Sequence, residues 1–421
     1  MRLVTQVFTT KVADYILKFA ISVLIARALG PSDKGILAFA LLVITWIVTF
    51  GNLSFFDANI YLLGSRRYSL SEAAMTSFVL SSVSGLLYAL LLFVIVAFRF
   101  VRWPVGNPVV FFILLTSIPF NILACNLGSI LQGLSWFKLY NVLIIAGSTV
   151  YLLLVLAANH LAKDRLLGIV VATVGSTVFA ATTLAICLGK AANWKLRFSS
   201  RYLKEGLLYG IRGHLRVLLV LFTQMFDQFV VGALLASTYL GWYSVAVGLS
   251  AGLLMLPDSV AIVLFPRVAS NQTSGATLTA RACRCTVLVM AAGAVAGFIL
   301  GRPGIALVYG KQFLPAATPF YILLIAVIFQ AASRVLRNYF YGMGRPQLTL
   351  WSSGAAALVT ATAVFPLVKS FGMVGAAASA LLAHGVGAVV DLIVAVRLSA
   401  APMRQFVLPQ KADFQIAAWK P

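Results

Sequence analysis

Charged residues make up only 10% of this 421-residue chain, and acids are the rarest of them: 10 Asp and Glu against 32 Lys and Arg. A soluble protein needs a charged surface around its core. With 61% hydrophobic residues and a mean hydropathy of +0.99, this chain can bury its apolar surface only in lipid. Histidine and cysteine are scarce too. His160, His214 and His384 are too scattered for a metal cluster, and Cys283-Arg284-Cys285 has no second pair to complete a zinc site, so the four Cys read as free thiols and no metal is expected. No charged n-region, apolar run and cleavage site open the chain, so the first helix is expected to stay in the mature protein. Ser/His/Asp, Walker-type and His-rich motifs are missing, which argues against an enzyme.

What the chain has is long apolar runs. Stretches of roughly 20 residues bounded by charge, Gly or Pro predict an all-α polytopic membrane protein with about twelve spans. They fall near 5–28, 36–63, 72–98, 107–131, 138–158, 166–188, 206–235, 240–265, 280–300, 316–341, 348–368 and 373–396. The pattern repeats at an offset of about 206 residues: Leu29-Gly30-Pro31-Ser32-Asp33-Lys34-Gly35 aligns with Leu235-Ala236-Ser237-Thr238-Tyr239-Leu240-Gly241, and Asn52 with Asp258. Two stacked repeats are the usual plan of a secondary transporter, whose substrate site lies near the repeat interface. The expected division is an N-terminal six-helix lobe over 1–195, a C-terminal six-helix lobe over 196–400 and a cytoplasmic tail over 401–421.

A net charge of +22 could signal nucleic acid, but the cations are spread over membrane loops and are about twice as frequent on one side of the predicted topology. That bias places both termini in the cytoplasm, with Arg2, Lys411 and Lys420, and no nucleic-acid partner is expected. The basic, aromatic stretch over 189–205 reads as the link between the lobes, lying along an anionic leaflet.

The charges inside the spans carry the functional signal, because a charge at the bilayer centre costs at least ~2.5–3.5 kcal/mol and must face protein or water. In the first span Lys11, Asp14 and Lys18 fall within about 60° of one another, and Tyr15 lies on the same face. An internal ion pair of Asp14 with one lysine leaves the other unmatched, which points to binding. The seventh span repeats the device with Glu205, Arg212, Arg216, Thr223 and Asp227 on one stripe, and the tenth carries Gln330, Arg334 and Arg337. Isolated carboxylates in membrane helices are the usual sites of proton or cation coupling. Asp227 and Asp391, which would approach each other, and Asp14 are therefore candidates for binding Na⁺ or H⁺, with helix-to-helix hydrogen bonding as the alternative.

The segment Ala26-Arg27-Ala28-Leu29-Gly30-Pro31-Ser32-Asp33-Lys34-Gly35, Leu131-Gln132-Gly133-Leu134, Gly342-Met343-Gly344-Arg345-Pro346 and the six-plus-six plan resemble the oligosaccharide and polysaccharide flippases of the multidrug/oligosaccharidyl-lipid/polysaccharide (MOP) exporter superfamily. The resemblance implies a V-shaped, two-lobed transporter that alternates between inward-open and outward-open states in the bacterial inner membrane. Its implied cargo is a polyprenyl-pyrophosphate-linked oligosaccharide, delivered to polysaccharide polymerase or ligase machinery. Lys34 stands where the family commonly has an aromatic residue, and two additional C-terminal helices of the peptidoglycan-precursor flippases have no counterpart, which points away from lipid II. In such a cavity Lys11, Lys18, Arg212 and Arg216 would neutralise the pyrophosphate, Arg334 would line it too, and Tyr15, Tyr243 and Thr223 would suit sugar. An organic-cation antiporter of the same fold would want an acidic cavity instead. A membrane-embedded polymerase or glycosyltransferase would want a large outer loop with catalytic groups, whereas the predicted outer loops are short and hold no carboxylate besides Asp33 and Asp164.

Overall fold

The structure is a computed structural model that describes residues 2–98, 108–270, 272–399, 401–408 and 410, without the side chains of 2–8, 261–263, 265–267, 269, 270 and 272–274. Arg2's side chain, Arg99, Arg102, Lys411, Lys420 and most of the expected tail therefore lie outside the described residues. Among these residues every regular element is helical. The long helices are α1 (Arg2–Asn52), α3 (Leu70–Ala97), α5 (Ser117–Gly133), α6 (Phe137–Leu161), α7 (Arg165–Ala191), α8 (Ser200–Leu234), α11 (Gln272–Val308), α12 (Ala317–Gly342) and α13 (Thr349–Ser399). Shorter ones are α2 (Phe55–Gly64), α4 (Pro108–Leu115), α9 (Ser237–Gly252), α10 (Met255–Ser270) and α14 (Arg404–Val407).

Ten helical stretches of the described residues are long and apolar enough to cross a membrane. Two of them are double. α1 turns at Gly30 (φ 72°) and α13 at Gly372 (φ 58°), both in the left-handed region that glycine enters without a Cβ clash. Each half is at least ~20 residues long, enough for a crossing of its own, so the ten stretches supply the twelve spans read from the sequence. The second crossing of each repeat is also interrupted, at Leu53–Ser54 before α2 and at Leu253–Leu254 before α10.

The chain divides into two compact units, residues 1–218 with 236–241 and residues 219–235 with 242–421. The first unit contains the reason for the repeated glycine motif. The backbone at Gly35 lies so close to Ser237 that a Cβ would overlap its carbonyl, and Gly241 meets Pro31 in the same way. Under the 206-residue offset Gly35 corresponds to Gly241 and Pro31 to Ser237, so the contact is reciprocal, as in a two-fold interface. Ser32 and Ser237 complete it with hydroxyls 3.1 Å apart.

The first unit's apolar core is built from residues such as Ile25, Phe111, Ile118 and Val155. A buried polar hub beside it ties five helices together. Asn52 donates to Asn126 (2.8 Å), Asn126 to Ser81 (2.9 Å), Asn59 to Ser129 (3.1 Å), and Tyr202 to Asn59 (2.8 Å). Inside lipid these amides have no water to bond, so satisfying one another fixes how α1, α2, α3, α5 and the start of α8 pack. The link between repeats is shorter than the sequence suggested, because α7 runs to Ala191 and α8 starts at Ser200. It is held on α3, where the Ser199 N–H donates to Thr76 (3.1 Å). In the second unit α11, α12 and α13 pack side by side, and α14 docks on α11 through buried Phe406, so the described part of the expected tail is folded back on the helices.

Candidate functional site

The first unit contains a cavity of about 520 Å³, within the ~300–1,000 Å³ usual for small-ligand sites. Three helices form its walls through residues three or four apart. Asn121, Cys125, Ser129 and Gln132 come from α5, Tyr140, Ser148 and Tyr151 from α6, and Ser176, Thr177 and Thr183 from α7. Small residues at the same spacing, Gly128 on α5, Gly147 on α6 and Ala180 on α7, leave the room between them. From Tyr140 to Tyr151 the polar stripe climbs about 16 Å at 1.5 Å per residue.

α1 contributes the cavity's charge. Lys18 Nζ lies 2.8 Å from Asp14 Oδ2, with the lysine side chain 64% exposed and the aspartate 16%. The Ser148 hydroxyl donates to the other Asp14 oxygen (2.5 Å). Lysine, aspartate and serine thus form one neutral group, of which Lys18 and Ser148 line the cavity.

The other expected cations do not join them there. Lys11 and Arg212 are exposed, and neither lines the cavity. Arg216 is half-buried, as is Tyr15, and acts electrostatically on Asp57 and Tyr209. Of the expected substrate cations, Lys18 alone reaches this space.

The second unit holds its polar groups differently. Thr223 is buried, donates to the Leu219 carbonyl (2.9 Å), and lines a pocket of about 50 Å³ with Gln224, Arg334, Arg337, Ser353 and His384. Arg334, expected to meet substrate, is ion-paired with Asp258. Asp391 is not an isolated carboxylate either: fully buried, it accepts from Arg337 Nε (3.0 Å), and the same guanidinium reaches Ser352 (3.2 Å). The physical cause is the one that drew attention to these residues, since a charge at membrane depth is stable only beside its opposite. Asp227 is engaged by other groups than Asp391. Its oxygens accept from the Tyr243 hydroxyl (2.5 Å) and the Gln228 N–H (2.8 Å), and among the described residues no ion pair involves it.

Sequence reading looked for charge and so passed over the uncharged lining. The usable signal was the recurrence of Ser, Thr, Tyr, Asn and Gln with Gly or Ala at helical spacing on α5, α6 and α7, in runs otherwise apolar.

The chain matches the profile of the polysaccharide biosynthesis protein family over residues 24–318. It belongs to that family. Solved structures extend the likeness in fold. The lipid II flippase MurJ in an inward closed conformation superposes with a TM-score of 0.80 at 14% identity, covering 95% of this chain and 89% of that one. An inward-facing multidrug resistance transporter of the MATE family and MOP superfamily gives 0.76 at 14% identity, covering 92% and 95%. A MOP superfamily transporter from Pyrococcus furiosus, described as having a binding pocket of reversed polarity, gives 0.67 at 14% identity over 95% of both chains. No curated protein matches the sequence. This member of the family is a multi-pass membrane protein whose fold is shared with flippases and transporters of the MOP superfamily.

Proposed function

We propose that the protein moves a polyprenyl-pyrophosphate-linked oligosaccharide from the cytoplasmic to the outer leaflet of a bacterial inner membrane by alternating access, with both termini in the cytoplasm. The product then meets the polymerase or ligase that builds a surface polysaccharide. The observation that carries this reading is a hydroxyl- and amide-lined cavity of about 520 Å³ in a member of a polysaccharide biosynthesis family. A pyrophosphate and a hydrated glycan cannot enter hydrocarbon unaided, because unpaired polar and charged groups lose their hydration there. Lys11, Arg212 and Arg216 remain the groups for the pyrophosphate. The organic-cation reading is weaker, because the acid at the cavity, Asp14, is neutralised by Lys18.

The driving step in this proposal is uptake of a proton or Na⁺ at Asp227. Among the three acids singled out by sequence, Asp14 and Asp391 have cationic partners and Asp227 has none among the described residues. An ion bound in one conformation only shifts the balance between the two access states.

The test is translocation in proteoliposomes loaded with a polyprenyl-pyrophosphate oligosaccharide, read as glycan made accessible to an added glycosidase. The expected result is protein-dependent exposure with no efflux of tetraphenylphosphonium. Efflux of the organic cation without movement of the lipid-linked sugar overturns the reading.

A further inference from the structure

Four hydroxyls of the first unit's cavity have already spent their protons. Thr177 donates to the Thr173 carbonyl (3.0 Å), Ser176 to the same carbonyl (2.9 Å), Thr183 to Phe179 (2.7 Å) and Ser129 to Asn126 (2.7 Å). The Asn121 amide donates to Ser117 (3.0 Å). Carbonyl oxygens only accept, so the proton's direction in each bond is settled by chemistry. A hydroxyl whose proton is engaged still has lone pairs, and an amide with one N–H engaged keeps its oxygen and its second N–H. What the Ser176, Thr177 and Thr183 hydroxyls can turn toward a guest is therefore hydrogen-bond acceptance, while Ser129 already accepts from Asn59.

A pyrophosphate or a sugar carboxylate brings only acceptors at neutral pH. Set against these hydroxyls it would exchange water for repelling lone pairs, and the one cation at the wall, Lys18, is neutralised by Asp14 at 2.8 Å. A neutral sugar brings O–H donors on every face. Its own acceptors find matching donors in the spare Lys18 N–H groups, the Tyr140 hydroxyl and the Gln132 amide; the last two make no side-chain hydrogen bond among the described residues. The two tyrosines of α6 add ring surface on which the apolar C–H face of a pyranose can lie.

We propose that this cavity is a subsite for uncharged sugar residues, and that it discriminates against acidic sugars and against the pyrophosphate, which the cargo must place elsewhere. The inference rests on the flippase reading, to which it adds the charge class of the glycan and the part of it that enters the first unit.

Cys125 is an exposed thiol on the cavity wall and serves as a reporter. The full-length protein in nanodiscs is labelled with a maleimide, and the modification of Cys125 is resolved by peptide mass spectrometry. The probes are three neutral trisaccharides (maltotriose, chitotriose and mannotriose), trigalacturonic acid of the same size, and inorganic pyrophosphate. At least one neutral trisaccharide should slow labelling of Cys125, while the acid and pyrophosphate leave it unchanged. Thr177→Val and Thr183→Val keep side-chain shape and should each weaken that protection about fivefold, the worth of one hydrogen bond. Thr182→Val, outside the cavity lining, should leave it as it is. Thermal melting of each variant checks folding. The subsite is refuted if trigalacturonic acid or pyrophosphate protects as well as the neutral sugars, if no neutral sugar protects, or if both cavity Val variants protect like the parent. The flippase reading fails separately: sugar protection with no movement of lipid-linked glycan in proteoliposomes, or with uptake of free maltotriose instead, would leave a sugar-binding cavity in a different transporter.

Discussion

The two units place their polar groups in opposite ways. In the first, hydroxyls, amides and the Lys18–Asp14 pair surround an open cavity of about 520 Å³. In the second, Arg337–Asp391 and Asp227–Tyr243 are buried and closed on each other, the space lined by Arg334 and Arg337 is only about 50 Å³, and Asp391 has no exposed surface. An open polar wall exchanges partners with a guest. A closed one holds helices together, and its groups are available only to something as small as water or an ion. Charge in a membrane helix is thus a poor guide to a ligand site until its partner is known.

The sharpest break of this contrast is Arg337→Ala. Removing one member of a buried pair leaves the other charge uncompensated, so a loss of ~3–5 kcal/mol is expected in equilibrium unfolding of the detergent-solubilised protein. The double variant Arg337→Met with Asp391→Leu should recover most of it, because the apolar replacements need no hydration. A single variant as stable as the parent would mean that the second unit is not closed as described.

Asp227→Asn should cost about 1 kcal/mol, since a charge-assisted bond from Tyr243 becomes a neutral one. Its functional effect is larger, namely translocation that no longer responds to an imposed proton or Na⁺ gradient. A variant that responds to both gradients as the parent does moves coupling away from this residue. Lys18→Met should be mildest in stability, no more than ~1 kcal/mol, because the pair it breaks is open to solvent. A cost matching Arg337→Ala would erase the distinction between the two units.

Much of the fold was legible because apolar length and glycine punctuation are local properties. Runs of about 20 residues gave the spans, and the recurrence of the Leu29–Gly35 pattern at Leu235–Gly241 gave the repeat. The candidate site was legible only in part. Lys18 was found as a charge, but Gln132, Tyr140, Thr177 and Thr183 sit in three different helices and acquire meaning only when those helices face one space. Arg334 and Asp391 were read as available because their partners, Asp258 and Arg337, lie 76 and 54 residues away in the chain.

The sequence by itself determined that this chain must live in a membrane, how many times it crosses, where it turns and that it is built twice, because each follows from the hydration of a short segment or the steric freedom of one glycine. Tertiary structure alone decided which charges are neutralised, which hydroxyl protons are committed to backbone and where lone pairs meet open space. Those are properties of pairs distant in sequence, and in a medium of low dielectric the pairing, not the residue type, sets whether a polar group binds a ligand or a neighbouring helix.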